Sequence, residues 1–374
     1  MRIGVDARVL AHRPTGVARY LRGLLSAWPE VRRPGERLEL YADGPVADRV
    51  EPPDRLEVLR WPLPGGDPAW RQVRLAARLR RDPPDVLWGP FYTLPLAARL
   101  PMVVTIHDVS FAARPEWFTR RARLAFALAR PSAHRARAVL TVSRFSAGEI
   151  RDRLGVPEER IVVAPLALEP RWLEPPAPEE LARARAWLGT DRPYLLHLGE
   201  VHARRRPDLL LDAFARAAAE EEELRLVVAG PSGRRGPDLS GLIEARGLAG
   251  RVLRREWVPE THLRGLIAGA RALVYLSVYE GFGFPALEAA ACGTPVVALR
   301  RASLPEVLGE AALWVEDATP EAVAAALSAL RGEPELARRL ADAGRRRARR
   351  FDWRETARAT FDAIRRAAAG ARSS

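Results

Sequence analysis

A chain of 374 residues is long for one hydrophobic core, because single cores stop growing at roughly 250–300 residues, so two domains are expected. A hydrophobic content of 48% excludes a disordered chain, no run approaches the ~18 consecutive apolar residues of a membrane-spanning helix, and the lone cysteine, Cys292, excludes an intrachain disulfide or a cysteine-built metal centre. All 60 basic residues are arginine and outnumber 47 acidic ones to give +13; residues 1–170, with 28 arginines against 19 acids, are the more basic part and suit anionic partners or simply a solvated basic surface.

RIGVDARVL reads as a first strand and runs into HRPTGVARYL, where Gly16 precedes an apolar-periodic helix from Val17 to Trp28. PDVLWG, PMVVTIHDVS, RAVLTVS and RIVVAP are short β-branched runs bounded by turn residues, with helices expected over Trp70 to Arg81, Thr119 to Ala138 and Ser146 to Leu154. Ala167 to Arg192 holds the proline-rich LEPRWLEPPAPEE and reads as a linker and entry helix. The alternation then restarts with YLLHLGE, a helix around Leu209 to Ala219, LRLVVAG, a short helix after Pro237, VLRREWV and RALVYLS. The turn and helix of YEGFGFPALEAAACG follow, then TPVVAL and AALWVED, and FDWRETARATFDAIRRAA closes the chain as an amphipathic helix. Strands alternating with helices predict parallel sheets covered on both faces. The fold class expected is therefore α/β, with Rossmann-like domains over 1–170 and 171–350 and a terminal helix over 351–374. Two such domains facing each other make a cleft, and ligands of open α/β sheets bind at the carboxyl ends of strands.

The turns after strands are accordingly the candidate sites. In YEGFGFPALE, Gly281 and Gly283 permit close backbone approach or positive φ, and Pro285 suits a helix start. Glu280 and Glu288 flank that turn. Glu288 alone would serve as a partner for the helix dipole, but with Glu280 and helix amides between them a hydroxylated, phosphate-bearing ligand accounts better for both. VHARRRP places Arg204, Arg205 and Arg206 at a strand-to-helix turn, either as a diphosphate grip or as a solvated charge run. VVAGPSGRRG lacks the GxGxxG spacing and is a weaker nucleotide loop. TIHDVSF sets His107 and Asp108 at the end of an apolar strand, as a structural pair or as part of a cleft. No Asp-x-Asp, GxxxxGK[ST], GxSxG or clustered metal ligand set occurs, so no metal site is expected.

Taken together, RIGVDARVL, TGVARYLRGLL, TIHDVSF, TVSRFSAGEI, YLLHLGEVHARRRPDLLLDAF and WVPETHLRGLIAGARALVYLSVYEGFGFPALEAAACGTPVVAL resemble a family 4 glycosyltransferase of the GT-B fold. The likeness is to the bacterial mannosyltransferases of surface-polysaccharide synthesis. It implies two facing Rossmann-like domains, with the C-terminal helix crossing back to the N-terminal one. It also implies a retaining hexosyltransferase that needs no metal or cofactor, with a nucleotide sugar as donor and a glycan or lipid-linked acceptor. By the resemblance, Glu288 holds the donor ribose and Glu280 lies beside the donor sugar. The backbone around Gly281, Phe282, Gly283 and Phe284 meets sugar and diphosphate. Arg204 and Arg205 grip phosphate, Val258 lies near the base, His107 over the sugar, and Gly16 lines the cleft. The family's usual Arg-Lys-Asn reads Arg204-Arg205-Arg206 here, and Glu200 stands where some relatives have arginine. GDP-mannose is the first donor expected and a UDP-sugar the second; a sugar-nucleotide epimerase on the same scaffold would need acid/base groups beyond His107.

The basic flank of the Trp70 to Arg81 helix (Arg71, Arg74, Arg78, Arg81, opposed by Val73, Leu75 and Leu79) and the arginines of Thr119 to Ala138 allow peripheral contact with an anionic membrane, or ordinary packing on the sheet. Nucleic acid is not expected as a partner, because few aromatics interleave with these arginines. With Arg2, Asp6 and Arg8 interrupting the opening apolar run, a cytoplasmic protein is expected. The absence of lysine and asparagine and the 32 prolines fit a GC-rich genome and a hot habitat.

Overall fold

Short apolar runs pair into two sheets in the computed structural model, which describes residues 1–12, 16–46, 54–60, 69–233 and 236–370. Two units are resolved: Met1–Ala167 together with the chain from Phe351 onward, and Leu168–Arg350. The first sheet holds β1 (Arg2–Asp6), β2 (Arg37–Ala42), β3 (Arg55–Val58), β4 (Val86–Gly89), β5 (Met102–Thr105), β6 (Ala138–Thr141) and β7 (Ile161–Val163), ordered β3-β2-β1-β4-β5-β6-β7. The second holds β8 (Tyr194–Leu198), β9 (Arg225–Ala229), β10 (Val252–Arg255), β11 (Ala272–Tyr275), β12 (Val296–Leu299) and β13 (Ala312–Val315), ordered β10-β9-β8-β11-β12-β13. All ladder pairs are parallel. Each sheet therefore reverses its strand order once, between β1 and β4 and between β8 and β11, and helices bury both faces of the central strands.

β2 and β3 fall outside the strands expected from the sequence, because RLELYA and RLEV carry charge within the run. Glu39 is nevertheless buried in β2, since Arg2 Nε (2.6 Å) and the Tyr41 hydroxyl (2.9 Å) donate to it. RIGVDARVL is strand only to Asp6; Arg8–Ala11 is a 3-10 turn, started by Arg8 N–H donating to Asp6 Oδ1 (3.3 Å). The first helix spans Gly16–Val31, so residues 13–15 of HRPTG lie outside the described residues.

Two other expectations are corrected. The helix predicted over Thr119 to Ala138 is two, Arg120–Phe126 and Ala129–Arg135. Pro131 has no N–H for the carbonyl of Ala127 and its ring crowds that oxygen, which breaks the helix at this place. The segment from Trp70 is a π-helix to Leu75 and an α-helix only over Ala76–Arg81. The wider turn rotates the expected faces: Arg71 is 2% exposed and Val73 is 56% exposed. Arg71 Nε donates to Asp6 Oδ2 at 2.5 Å and Nη1 to Thr93 Oγ1 at 2.6 Å, while Arg78 is paired with Glu57 and Asp82.

The last helix, Trp353–Ala369, is capped by Asp352, whose side chain accepts from Arg354 N–H, and belongs to the first unit. It packs on helix Gly16–Val31, where Phe361 and Trp28 rings lie 4.5 Å apart. Arg365 is held by Glu36 (2.7 Å), and Thr356 Oγ1 donates to Pro165 O (2.5 Å). The contact requires Gly23, where a Cβ would lie 2.2 Å from Trp353 Cε2. Gly23→Ala is expected to lower stability by ~1–3 kcal/mol through this overpacking, read as a lower urea midpoint; an unchanged midpoint would show that the two helices do not meet this closely.

Candidate functional site

Parallel strands send the loops after β8, β9, β10, β11 and β12 out at one edge of the second sheet. β8 leads through Gly199 to the 3-10 turn Ala203–Arg205 and the helix Pro207–Glu220; β11 leads to residues 276–283 and the helix Phe284–Cys292. These turns leave adjacent strands at the point where the order reverses, and they are tied together by one carboxylate.

That carboxylate is Glu280, 7% exposed. Its Oε1 accepts from Arg205 Nε (3.1 Å), the Tyr275 hydroxyl (2.9 Å) and Ser277 Oγ (3.0 Å); its Oε2 accepts from Arg204 Nη1 (3.0 Å). Burial pushes the carboxyl pKa up, but the charges of Arg204 and Arg205 and the bonds from Tyr275 and Arg205 outweigh it and hold the group down at about 2. Oε1 is fully engaged, whereas Oε2 retains room for one further donor.

The three arginines divide. Arg205 is 7% exposed; Nη1 donates to Glu200 O (3.2 Å), Nη2 to the Tyr275 hydroxyl (3.4 Å), and the guanidinium lies 5.6 Å from the centre of the Tyr275 ring. Arg204 is more open, with a side chain 20% exposed, Nη1 shared between Glu280 and Tyr279 O (3.3 Å), and no partner on Nη2 among the described residues. Arg206 takes φ +50° and turns to Asp208, its Nε and Nη2 bonding the carboxylate at 3.1 and 2.8 Å. The row of three donors expected from VHARRRP is therefore two, because a left-handed residue reverses the chain before Pro207. His197, on β8 and 1% exposed, is kept neutral by burial and by the charge of Arg205, which bring its pKa to about 3.

Around this cluster Gly281, Phe282 and Gly283 are buried, and Phe282 and Phe284 meet edge to face at 5.8 Å. Gly283 has φ +100°, and a Cβ there would lie 2.8 Å from Leu304 Cδ2. Ser303 Oγ donates to Glu280 O (2.8 Å) and Phe282 O (3.2 Å), clamping the turn from the loop after β12. The helix amides expected to bind an anion are fewer than the sequence implied: Pro285 has none, and Ala286 and Leu287 N–H bond Gly283 O. Glu288 is 1% exposed in the second helical turn. Val258 is half-buried between β10 and the helix Glu260–Ala268, next to Trp257, which is 60% exposed. The glycine loop after β9 pinches against β8, since a Cβ on Gly230 would lie 2.2 Å from Gly199 O; its Arg234 and Arg235 are outside the described residues.

In the first unit, His107 follows β5. Its Nε2 lies 3.0 Å from Pro90 O, which only accepts, so Nε2 carries the proton and Nδ1 is the acceptor while the ring is neutral. Burial lowers its pKa against the opposing effects of Pro90 and Asp108. Tyr20 and Tyr92 meet the ring edge-on at 4.9 and 6.0 Å, and Asp108 is occupied by Ser110 and the Tyr92 hydroxyl. Gly16 is exposed, and a Cβ on it would meet nothing within 4 Å, so local packing does not require a glycine there.

Sequence reasoning missed Tyr275, Ser277 and Ser303. The available signal was polar side chains at the carboxyl ends of otherwise aliphatic strands, where burial demands a partner. Glu280 contributes stability while ionised, fully above about pH 4.5 and progressively less as pH falls toward its folded pKa of about 2. Glu280→Gln is expected to cost ~3–5 kcal/mol at neutral pH by leaving buried Arg205 uncompensated. Denaturation of both proteins from neutral to acid pH should show the gap closing below about pH 4.5; a pH-independent gap would remove the charge from this account.

Comparison with known proteins fits this geometry. Residues 14–172 match the model of Glycosyltransferase Family 4, and residues 179–347 that of Glycosyl transferases group 1. The chain is 34% identical to the O-antigen chain mannosyltransferase B of Escherichia coli over 76% of this chain and 75% of that protein. It is 33% identical to the MMP alpha-(1->4)-mannosyltransferase of Mycolicibacterium hassiacum (69% and 63%) and 36% identical to the D-inositol 3-phosphate glycosyltransferase of Kineococcus radiotolerans (59% and 54%), spanning less than two thirds of either relative. Among solved structures it resembles sucrose-phosphate synthase from Thermosynechococcus elongatus (TM-score 0.76, 21% identity, 99% of each chain) and Anabaena HepE in complex with UDP and glucose (0.74, 21%, 96% and 98%), a likeness of fold. Two parallel α/β units, the cluster at the second switch point and a match to a glycosyltransferase family model in each half place the chain in one family: it is a glycosyltransferase of the GT-B fold.

Proposed function

We propose that the chain moves a hexosyl group, with retention, from a nucleotide sugar to a glycan or lipid-linked acceptor in surface-polysaccharide synthesis, with mannose from GDP-mannose as the first candidate. The observation that carries this reading is the Arg204–Glu280–Arg205 cluster at the carboxyl edge of the second sheet, with Glu288 on the helix that follows. The identity to two mannosyltransferases supports the sugar. A UDP-sugar is the second candidate, supported by the likeness to a structure holding UDP and glucose.

In this reading the open edge of Arg204 meets the diphosphate, and Arg205 adds charge from beneath. The remaining acceptor position on Glu280 Oε2 takes a sugar hydroxyl, Glu288 takes the ribose, and backbone at Gly281–Phe284 and Val258 meets the sugar phosphate and the base. His107 and Gly16 have their parts with the donor sugar, His107 through the lone pair on Nδ1. The guanidiniums stabilise charge developing on the leaving diphosphate, the largest electrostatic contribution such a site makes. The acceptor oxygen bonds the anomeric carbon on the face the phosphate leaves, and that phosphate takes the acceptor proton. No metal has a role in this scheme, which is consistent with the lack of an Asp-x-Asp triplet in the sequence.

No helix among the described residues is long and apolar enough to cross a membrane. Peripheral contact with an anionic inner membrane face remains part of the proposal, carried by Arg120–Phe126, where Leu124 is 75% exposed among Arg120, Arg121 and Arg123.

A thermal-shift panel of GDP, UDP, ADP and their sugar conjugates in EDTA, with NAD as control, tests the reading. One nucleoside diphosphate should raise the melting temperature, because ligand binding favours the folded state. Glu288→Ala should weaken that binding by about tenfold, the worth of one good polar contact. A shift that needs added metal would sink the metal-free scheme, and no shift with any nucleotide would sink the donor assignment.

A further inference from the structure

At the opposite, amino edge of the second sheet lies a cavity of about 360 Å³. Its wall includes Leu308, Gly309 and Glu310, which precede β13, and Arg346, Arg347 and Arg350 from the end of helix Pro334–Ala348 and just beyond it. Elsewhere in this unit some arginines find carboxylates, such as Arg171 with Glu260, Arg246 with Asp212, Arg271 with Glu221 and Arg345 with Asp342, and others, such as Arg225, Arg251, Arg255 and Arg301, find backbone carbonyls. Arg346 and Arg350 have no acidic partner among the described residues, and the one carboxylate on the wall, exposed Glu310, makes no ion pair there. Arg347 is half-buried, and its Nε and Nη2 are spent on the carbonyls of Val307 and Glu306. Burial and the charge of Arg350 lower its pKa, against the opposing carboxylate of Glu306. The helix C-terminus accounts for cations in its last turn, Arg345 to Arg347, but Arg350 lies past it.

We propose that this cavity binds a phosphate group, carried by a small phosphorylated metabolite or by a lipid headgroup. Arg346 and Arg350, both exposed, share one wall, and their planar guanidiniums are the donors such an oxyanion takes. The site is separate from the Glu280 cluster yet shares an element with it. The short helix Leu304–Leu308 is preceded by Ser303, which clamps the Glu280 turn, and is held at its far end by Arg347.

Calorimetric titration of the full chain with inorganic phosphate at fixed ionic strength is the test. Wild type, Arg349→Glu (exposed, outside the cavity) and Arg204→Ala should bind saturably, and Arg346→Glu/Arg350→Glu at least about tenfold more weakly, as expected on losing two charge-assisted contacts. Arg346→Gln/Arg350→Gln should weaken binding likewise and gives the same readout if charge reversal disturbs folding. No saturable binding, equal weakening by Arg349→Glu, or loss in Arg204→Ala with retention in the double variant would overturn the proposal, the last by sending the phosphate to the donor cluster. Where saturable binding is found, sedimentation with phosphatidylglycerol against phosphatidylcholine vesicles separates the sources. Retention on the anionic vesicles that the double variant abolishes assigns a lipid headgroup, and absent or unaltered retention assigns a free phosphate monoester.

Discussion

A buried guanidinium is the constraint on which the second unit depends. Arg205 is enclosed beneath the turn after β8, and an isolated charge in such a place costs several kcal/mol. The compensating carboxylate comes from Glu280, 75 residues further along the chain, and from the other side of the point where strand order reverses. Bringing them together closes the loop after β8 onto the loop after β11, and Ser303 fastens the loop after β12 to the same turn. The contact that completes the fold at this edge therefore also arranges the candidate site. Folding energy and positioning of the site are not separable here.

Backbone strain collects at the same edges. Among the described residues, the non-glycine residues with positive φ are Tyr92, Arg206 and Ala302, and each follows a strand: β4, β8 and β12. Each costs of order 1–3 kcal/mol and persists only where the surroundings over-determine it. Arg206 turns the chain into Pro207 and ties itself to Asp208; Ala302 precedes the clamp at Ser303; Tyr92 delivers its ring to His107 and its hydroxyl to Asp108. The residue that the family resemblance places at 206 is asparagine, whose short side chain tolerates this conformation better than arginine does. Arginine in place of that asparagine thus shows its cost at one definable dihedral angle.

Much of the layout was legible because central parallel strands are buried on both faces and read as unbroken apolar runs. PDVLWG, PMVVT and RALVY announced themselves in this way. β2 and β3 did not, since Arg37, Glu39, Arg55 and Glu57 interrupt the pattern and only the fold reveals their partners. The helix faces around Arg71 were misassigned because a 3.6-residue period cannot describe a π-turn, and Pro131 was the available warning against one long helix after Thr119. At the site, glycines and charges flagged the right turns. What they did not convey is that Glu280 is spoken for by four protein donors, because its neutral partners Tyr275 and Ser277 end a strand that otherwise reads as core.

The arginine at 205, where the family resemblance implies a lysine, changes how a phosphate grip has to be built. A lysine there would carry a compact charge on a flexible stem, free to reach toward a ligand. Arginine instead spreads its donors over a rigid fork, and at this position the fork is committed in three directions at once, to Glu280, to the carbonyl of Glu200 and to the Tyr275 hydroxyl. A group held so firmly contributes field rather than contact. Direct contact then passes to Arg204, whose guanidinium gives one nitrogen to Glu280 and Tyr279 and keeps its other edge open. Within the proposed function the two arginines therefore divide the work: Arg205 sets the potential and fixes Glu280, and Arg204 reaches the diphosphate.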